Sequence, residues 1–276
     1  WPAVRGRPFT RTGIIARPPG AANRRVAFLT GCVMPLAFGR VHRATVRVLA
    51  RNGCEVVAPP GQVCCGALHA HSGDRATAMT LARRNVDAFL ASGVDAVVVN
   101  SAGCGAAMKE YGHLLSSDPA YRNKAATLAS IVRDIHEFLV EMDFEPPRAL
   151  LDIDVTYQDS CHLAHAQRIT QAPRQVLATI PGLRLVEMEN PDRCCGSAGV
   201  YAMTQPEMSL QLLDGKMKAV SRTGAAVIAT ANPGCMMQLE AGLRRHGMNG
   251  RVMHVIELLD KAYRREGRPQ GAPSRP

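Results

Sequence analysis

Apolar and polar positions along the chain follow two different periods. Short apolar runs rich in β-branched residues, at 24–32, 54–60 and 94–100, read as strands, and the stretches 41–53 and 73–93 carry apolar residues at helical spacing. Gly53 and Gly93 stand where these helices should stop, and Pro59 and Pro60 end the second strand. The run VDAVVVN at 94–100 shows no alternation, as suits a strand covered on both faces of a parallel sheet. The same order then returns, with strands at 154–161, 183–190 and 225–231 and helices at 172–182 and 205–224. Strand–helix alternation of this kind predicts an α/β protein with right-handed crossovers.

The recurrence is an internal repeat, and the cysteines mark it. Cys32 and Cys161 are 129 residues apart, Cys64 and Cys194 are 130, Cys65 and Cys195 are 130, and Cys104 and Cys235 are 131. The text around them matches too: DAVVVNSAGCGAAMKE at 95–110 lies over AAVIATANPGCMMQLE at 225–240. The expected architecture is therefore two homologous lobes, each a Rossmann-like parallel sheet flanked by helices. The expected division is a flexible basic arm over 1–24, one repeat over 25–146, the second over 147–265 and a flexible tail over 266–276.

Composition changes this picture little. With 276 residues, 46 % of them hydrophobic, the chain can bury a substantial core. No apolar stretch approaches the length of a membrane span, and no secretory h-region opens the chain. It begins at Trp1, so it reads as a portion of a longer product. The net charge of +10 sits almost wholly at the ends: six arginines and no acid lie in 1–26, and four arginines face Glu266 alone in 264–276. These arginines lack the interleaved aromatic residues of a nucleic-acid surface, so solvated tails are expected and no nucleic-acid partner. A cytoplasmic location is expected, reaching the inner face of the membrane only through partners.

The chemistry lies in the thiols. Cys32, Cys64, Cys65, Cys104, Cys161, Cys194, Cys195 and Cys235 each fall at or just after the carboxyl end of an expected strand. Ligands of open parallel sheets bind at that edge, so each set of four thiols should converge there. Gly66 and Gly196 follow the vicinal pairs and let the backbone turn closely. Four thiolates suit an iron–sulfur cluster or Zn²⁺, and free redox thiols are the third reading. Vicinal cysteines favour the larger cluster, because two adjacent sulfurs can reach different irons. His69 and His71 after the first pair, and His162 and His165 after Cys161, could complete a site, bond a cluster sulfur or be ordinary loop residues. Cys54 has no counterpart in the second repeat and reads as a buried apolar residue. No P-loop, GxGxxG or GxSxG element appears, and no candidate base stands beside the thiols.

The pattern C-x(31–32)-CCG-x(37–38)-C, present twice, resembles the CCG cysteine-rich domain of heterodisulfide reductase and of lactate, glycerol-3-phosphate and glycolate oxidoreductases. DSCHLAH, CCGSAGVY and ANPGC are most similar to the carboxyl-terminal half of glycolate oxidase iron–sulfur subunits, and the resemblance spans about residues 25–265. It implies that the eight paired cysteines ligate iron–sulfur clusters of 4Fe–4S type, with zinc as the other metal at one site. It also implies an electron-transfer subunit that takes electrons from flavin-containing partners of a glycolate oxidase complex and passes them to a quinone or another acceptor. Two departures stand out. The family motif ends in CxxC, and Ser101 and Asn232 replace the first cysteine of that pair here. The two ferredoxin-type cysteine runs that precede these repeats in intact subunits are not in this chain. The rival readings are a thiol–disulfide reductase and a zinc-stabilised docking module.

Overall fold

The computed structural model describes residues 7–266. The first half runs β1 (Gly13–Ala16), β2 (Arg24–Phe28), α1 (Met34–Ala37), α2 (Gly39–Arg51), β3 (Cys54–Ala58), α3 (Ala67–His71), α4 (Arg75–Leu90), β4 (Ala96–Val99), α5 (Ala102–Lys109), α6 (Tyr111–Leu114), α7 (Arg122–Ile131), β5 (Val132–Asp134) and α8 (Ile135–Glu141). The second half runs β6 (Ile153–Tyr157), a π-turn at His162–Ala166, α9 (Ala172–Ala178), β7 (Leu183–Leu185), α10 (Tyr201–Thr204), α11 (Pro206–Thr223), β8 (Val227–Thr230), α12 (Pro233–Arg245), β9 (Arg251–His254) and α13 (Val255–Glu266).

Two parallel sheets result, ordered β3-β2-β4-β5 and β7-β6-β8-β9, so the repeat in sequence is a repeat in topology. The first sheet gains an antiparallel edge strand, β1, paired with β3. This departs from the expected flexible arm: Phe9 and Ile15 enter the core, and Arg17 and Arg25 pair with Glu55 at 3.2 and 3.3 Å. Residues 1–6 of that arm and 267–276 of the tail lie outside the described residues. β4 and β8 are buried at every position, as their unbroken apolar runs require.

The halves are tied by exchanged helices. α13, which ends the second half, packs on α2 of the first, while α8 of the first packs on α9 of the second. One hydrophobic core consequently spans both sheets, from Val26 and Leu49 to Val155 and Leu259. Polar pairs fix the register of α13 on α2: Arg47 grips Asp260 through two bonds of 2.7 and 2.6 Å, and Arg40 meets Glu257 at 2.8 Å. Near the carboxyl ends of the strands the seam is polar and buried. Asn100 donates to Thr45 and meets His42 Nδ1 at 3.1 Å, and its carbonyl meets His254 Nε2 at 3.1 Å.

Candidate metal centre

Each thiol is delivered by the end of a strand. Cys32 follows β2 after Gly31, which holds a positive φ of 68°. Cys64 and Cys65 follow β3, and Cys104 lies in the first turn of α5, just after β4. The second half repeats this: Cys161 follows β6, Cys194 and Cys195 follow β7, and Cys235 lies in the first turn of α12. The first turn of a helix presents unpaired N–H groups and the positive end of its dipole, which favours a thiolate.

In the first lobe Cys32 and Cys64 touch at 3.4 Å between sulfurs. Cys64 also perturbs Cys65, and Cys65 perturbs Cys104, so the four thiols form one interacting set. The second lobe forms the same row, Cys161 to Cys194 to Cys195 to Cys235. Proton sharing alternates along each row. Cys64 is pulled down to about 2, first by the hydrogen bond from Cys32, then by Cys65 and the Gly66 N–H. Cys32, which gives that bond and is partly buried, is pushed up. Cys65 is pushed up by its bond to Cys104, and Cys104 is pulled down by the same bond and by one from Ser101. Cys194 likewise falls to about 2 through Cys161, while the bond with Cys195 pulls Cys235 down. In each lobe two thiols are thus pulled down and two pushed up by their neighbours, and a thiol that gives up its proton readily is a ligand for soft metals.

The CCG turn has a steric basis. Gly66 and Gly196 hold φ of 81° and 91°, and their N–H groups reach back to Cys64 and Cys194 at 3.5 and 3.3 Å. A Cβ at Gly196 would stand 2.3 Å from the Ser209 carbonyl oxygen of α11, and one at Gly66 would stand 3.3 Å from Ala78 Cα of α4. The glycine therefore allows both the turn and the seating of the vicinal pair on a helix.

The replacements for the fifth cysteines are hydrogen-bond donors to sulfur. Ser101 bonds Cys104, and Asn232 Nδ2 points to Cys235 Sγ at 3.8 Å. Asn232 also accepts the Gly103 N–H at 3.1 Å, and Ala102 N–H meets the Ala231 carbonyl at 3.1 Å, so the two sites are bonded to each other across the seam. A single pocket of about 170 Å³ is bordered by all four thiols of the first quartet and by Cys161, Cys195 and Cys235 of the second. The expectation of one thiol edge on each lobe holds, with the addition that the two edges face one cavity. Its walls include Leu29, Met34, Val99 and Met237. Among the described residues no group of three or more His, Cys, Asp or Glu side chains is set around a single ion.

Of the histidines, His71 and His162 stack at the pocket with ring centroids 5.4 Å apart. His69 bonds Asp74 at 3.2 Å, and exposed His165 lies 3.9 Å from Asp192. Cys54 is fully buried at the start of β3, away from both rows, and burial pushes its thiol up to about 11. Two residues escaped the reading of the sequence. Asn85 and Lys216, both buried, hold the CCG loops from α4 and α11. They occupy matching places in the two repeats, which is the signal that could have found them.

The chain has clear relatives among known proteins. The family model of the CCG cysteine-rich domain matches twice, over residues 26–109 and 155–240. The probable glycolate oxidase iron–sulfur subunit of Bacillus subtilis is 46 % identical over 88 % of this chain, which spans 56 % of that protein's length. Lactate utilization protein A of the same organism is 32 % identical over 86 % of this chain and 99 % of its own length. Among solved structures, a hypothetical protein from Helicobacter pylori shares the fold with a TM-score of 0.64 at 12 % identity, over 95 % of this chain and 52 % of its own. With both thiol rows inside the matched segments, the chain belongs to the CCG cysteine-rich domain family.

Proposed function

We propose that each cysteine quartet holds an iron–sulfur cluster and that the chain relays electrons within a glycolate oxidase complex. The observation that carries this reading is that all four cysteines of the first quartet and Cys161, Cys195 and Cys235 of the second border one apolar-walled pocket. The donor set fits the group: all eight sulfurs are soft ligands, four are already pulled down, and backbone and side-chain donors are aimed at them. Cys32, Cys64, Cys65 and Cys104 would hold one cluster and Cys161, Cys194, Cys195 and Cys235 the other. The clusters supply reversible one-electron storage. The protein sets their surroundings: Gly66 and Gly196 N–H groups, Ser101 and Asn232 stabilise charge on sulfur, and the apolar wall limits water. The relay runs from flavin-containing partner subunits to a quinone or another acceptor. The cluster type proposed is 4Fe–4S. Zinc at one of the two quartets is the alternative metal, since four thiolates also suit it.

The lactate system is a second reading, favoured by one observation: lactate utilization protein A aligns over 99 % of its length. Anaerobic purification with iron and sulfide determination, then dye reduction with flavoprotein partners on glycolate and on lactate, tests both. The isolated chain is expected to carry iron and sulfide and to reduce no dye with either acid. Turnover by the chain alone would overturn the relay, and a chain holding zinc without sulfide would overturn the clusters.

A further inference from the structure

The two rows repeat each other thiol for thiol, yet the side chain that secures each CCG loop differs in charge. In the first lobe Gly66 packs on Ala78 of α4, and Asn85 lies seven residues further along that helix. In the second lobe Gly196 packs on Ser209 of α11, and Lys216 lies seven residues further along. Asn85 is buried and neutral. Its Oδ1 accepts the Val63 N–H at 2.8 Å, and its Nδ2 donates to the Cys64 carbonyl and the Tyr111 hydroxyl, each at 3.0 Å. Lys216, 1 % exposed, does the same mechanical task with a cation: its Nζ donates to the carbonyls of Asn190 and Pro191 at 2.9 and 3.1 Å, with the Met188 sulfur at 3.9 Å.

A buried ammonium held only by neutral acceptors needs negative charge close by. Asp159, whose field reaches Lys216, is itself bound by both terminal nitrogens of Arg174 at 2.9 and 2.8 Å, and Asp192 is more than half exposed. Burial pulls Lys216 down, while Asp192 and Asp159 help hold its charge, and that charge is felt at Cys194 of the second row.

We propose that Lys216 makes the second-lobe centre the more oxidising of the two, so that electrons entering the pair come to rest on the second lobe. The proposal rests on clusters occupying both quartets. Reduction adds one negative charge to a centre in a low-dielectric site, and a fixed cation beside that centre favours the reduced form. In the first lobe neutral Asn85 takes that place, and the side chain felt at Cys64 is His69, which is partly exposed and paired with Asp74 rather than buried. The transfer is one electron out of the first centre and one into the second, with no bond made or broken.

The test is a potentiometric titration followed by electron paramagnetic resonance, with iron and sulfide content measured on every sample. Cys65→Ser leaves the second centre alone and Cys195→Ser leaves the first, so each potential is read with Lys216 in place. The second centre is expected to be the more oxidising, by about tenfold in the equilibrium constant for exchange, or about 59 mV for one electron. Lys216→Met is expected to lower the second potential and leave the first unchanged, and Lys216→Arg to restore it. Equal potentials, or a more oxidising first centre, would overturn the proposal even if Lys216→Met fails to fold. Wild-type protein without iron and sulfide would instead remove the cluster reading, and this inference with it.

Discussion

Replacing Gly196 by alanine probes the link between the CCG turn and the site most directly. The new Cβ would lie 2.3 Å from the Ser209 carbonyl oxygen and 3.1 Å from its carbon. Neither atom can retreat alone, because both belong to the main chain of α11 and the Ser209 hydroxyl is bonded to the Gly196 carbonyl at 2.8 Å. The backbone at a φ of 91° is also strained for any L side chain, by about 1–2 kcal/mol. Overpacking against a helix adds about 1–3 kcal/mol, for a total of about 2–5 kcal/mol. Gly66→Ala is the internal control. Its Cβ would sit 3.3 Å from Ala78 Cα, so the conformational strain of about 1–2 kcal/mol dominates. Thermal melting of the metal-free protein under reductant should show Gly196→Ala falling by roughly 5–15 °C and Gly66→Ala by roughly half as much or less. Iron bound after reconstitution should fall in the same order, because the displaced loop carries Cys194 and Cys195. If Gly196→Ala melts within about 2 °C of wild type, or Gly66→Ala is the worse of the two, the steric account of the motif is wrong.

Cys195→Ala should abolish iron at the second site, whereas Cys54→Ala should leave the iron content intact and cost only about 1 kcal/mol, the loss of a small buried group; equal iron loss in the two variants would refute this partition of the nine cysteines. Acid should weaken the fold through the seam histidines. Burial holds His42 at about 4 and His254 at about 3, both below the ordinary value of 6.5. Their neutral forms are native, so their stability contribution is full above pH 6.5 and is lost as pH falls toward those values. At pH 5 each costs about 2 kcal/mol. Urea midpoints of the metal-free protein should drop between pH 7 and pH 5, and a flat profile over that range would count against buried neutral histidines.

The duplication was legible because ligand spacing tolerates little drift, and the cysteines of the two halves keep step within two residues over the whole repeat. β4 and β8 were legible for a different reason: both are covered on both faces, so their sequences are apolar apart from Thr230 at the end of β8. β5 (VRD) and β9 (RVMH) carry no such pattern, being three and four residues long and partly polar. β1 was hidden in an arginine- and proline-rich arm, where only Ile15 of the four residues turns inward. The exchange of α8 and α13 between halves had no local signature, since an amphipathic helix does not say which sheet it will cover.

That exchange decides the arrangement of the site. Duplication alone yields two sheets, each with thiols at the carboxyl ends of its strands, and says nothing about how those edges face. α13 clamped on α2 by Arg47 and Asp260 fixes the two sheets relative to each other, with the first turns of α5 and α12 close enough for Asn232 to accept the Gly103 N–H. Asn232, the position where the resemblance would place the first cysteine of a CxxC pair, is used in this contact. Asn232 bonds the sulfur of its own lobe and the helix of the other, which a cysteine could do only weakly. Asparagine at this position thus gives a polar bridge between the sites. Asn232→Cys would test that exchange: it restores the CxxC spacing but removes the carbonyl oxygen that accepts the Gly103 N–H. Loosened packing of the lobes, read as faster amide exchange along the first turn of α5, is the expected result. Unchanged exchange there would mean that Ala102 and Ala231 alone hold the seam.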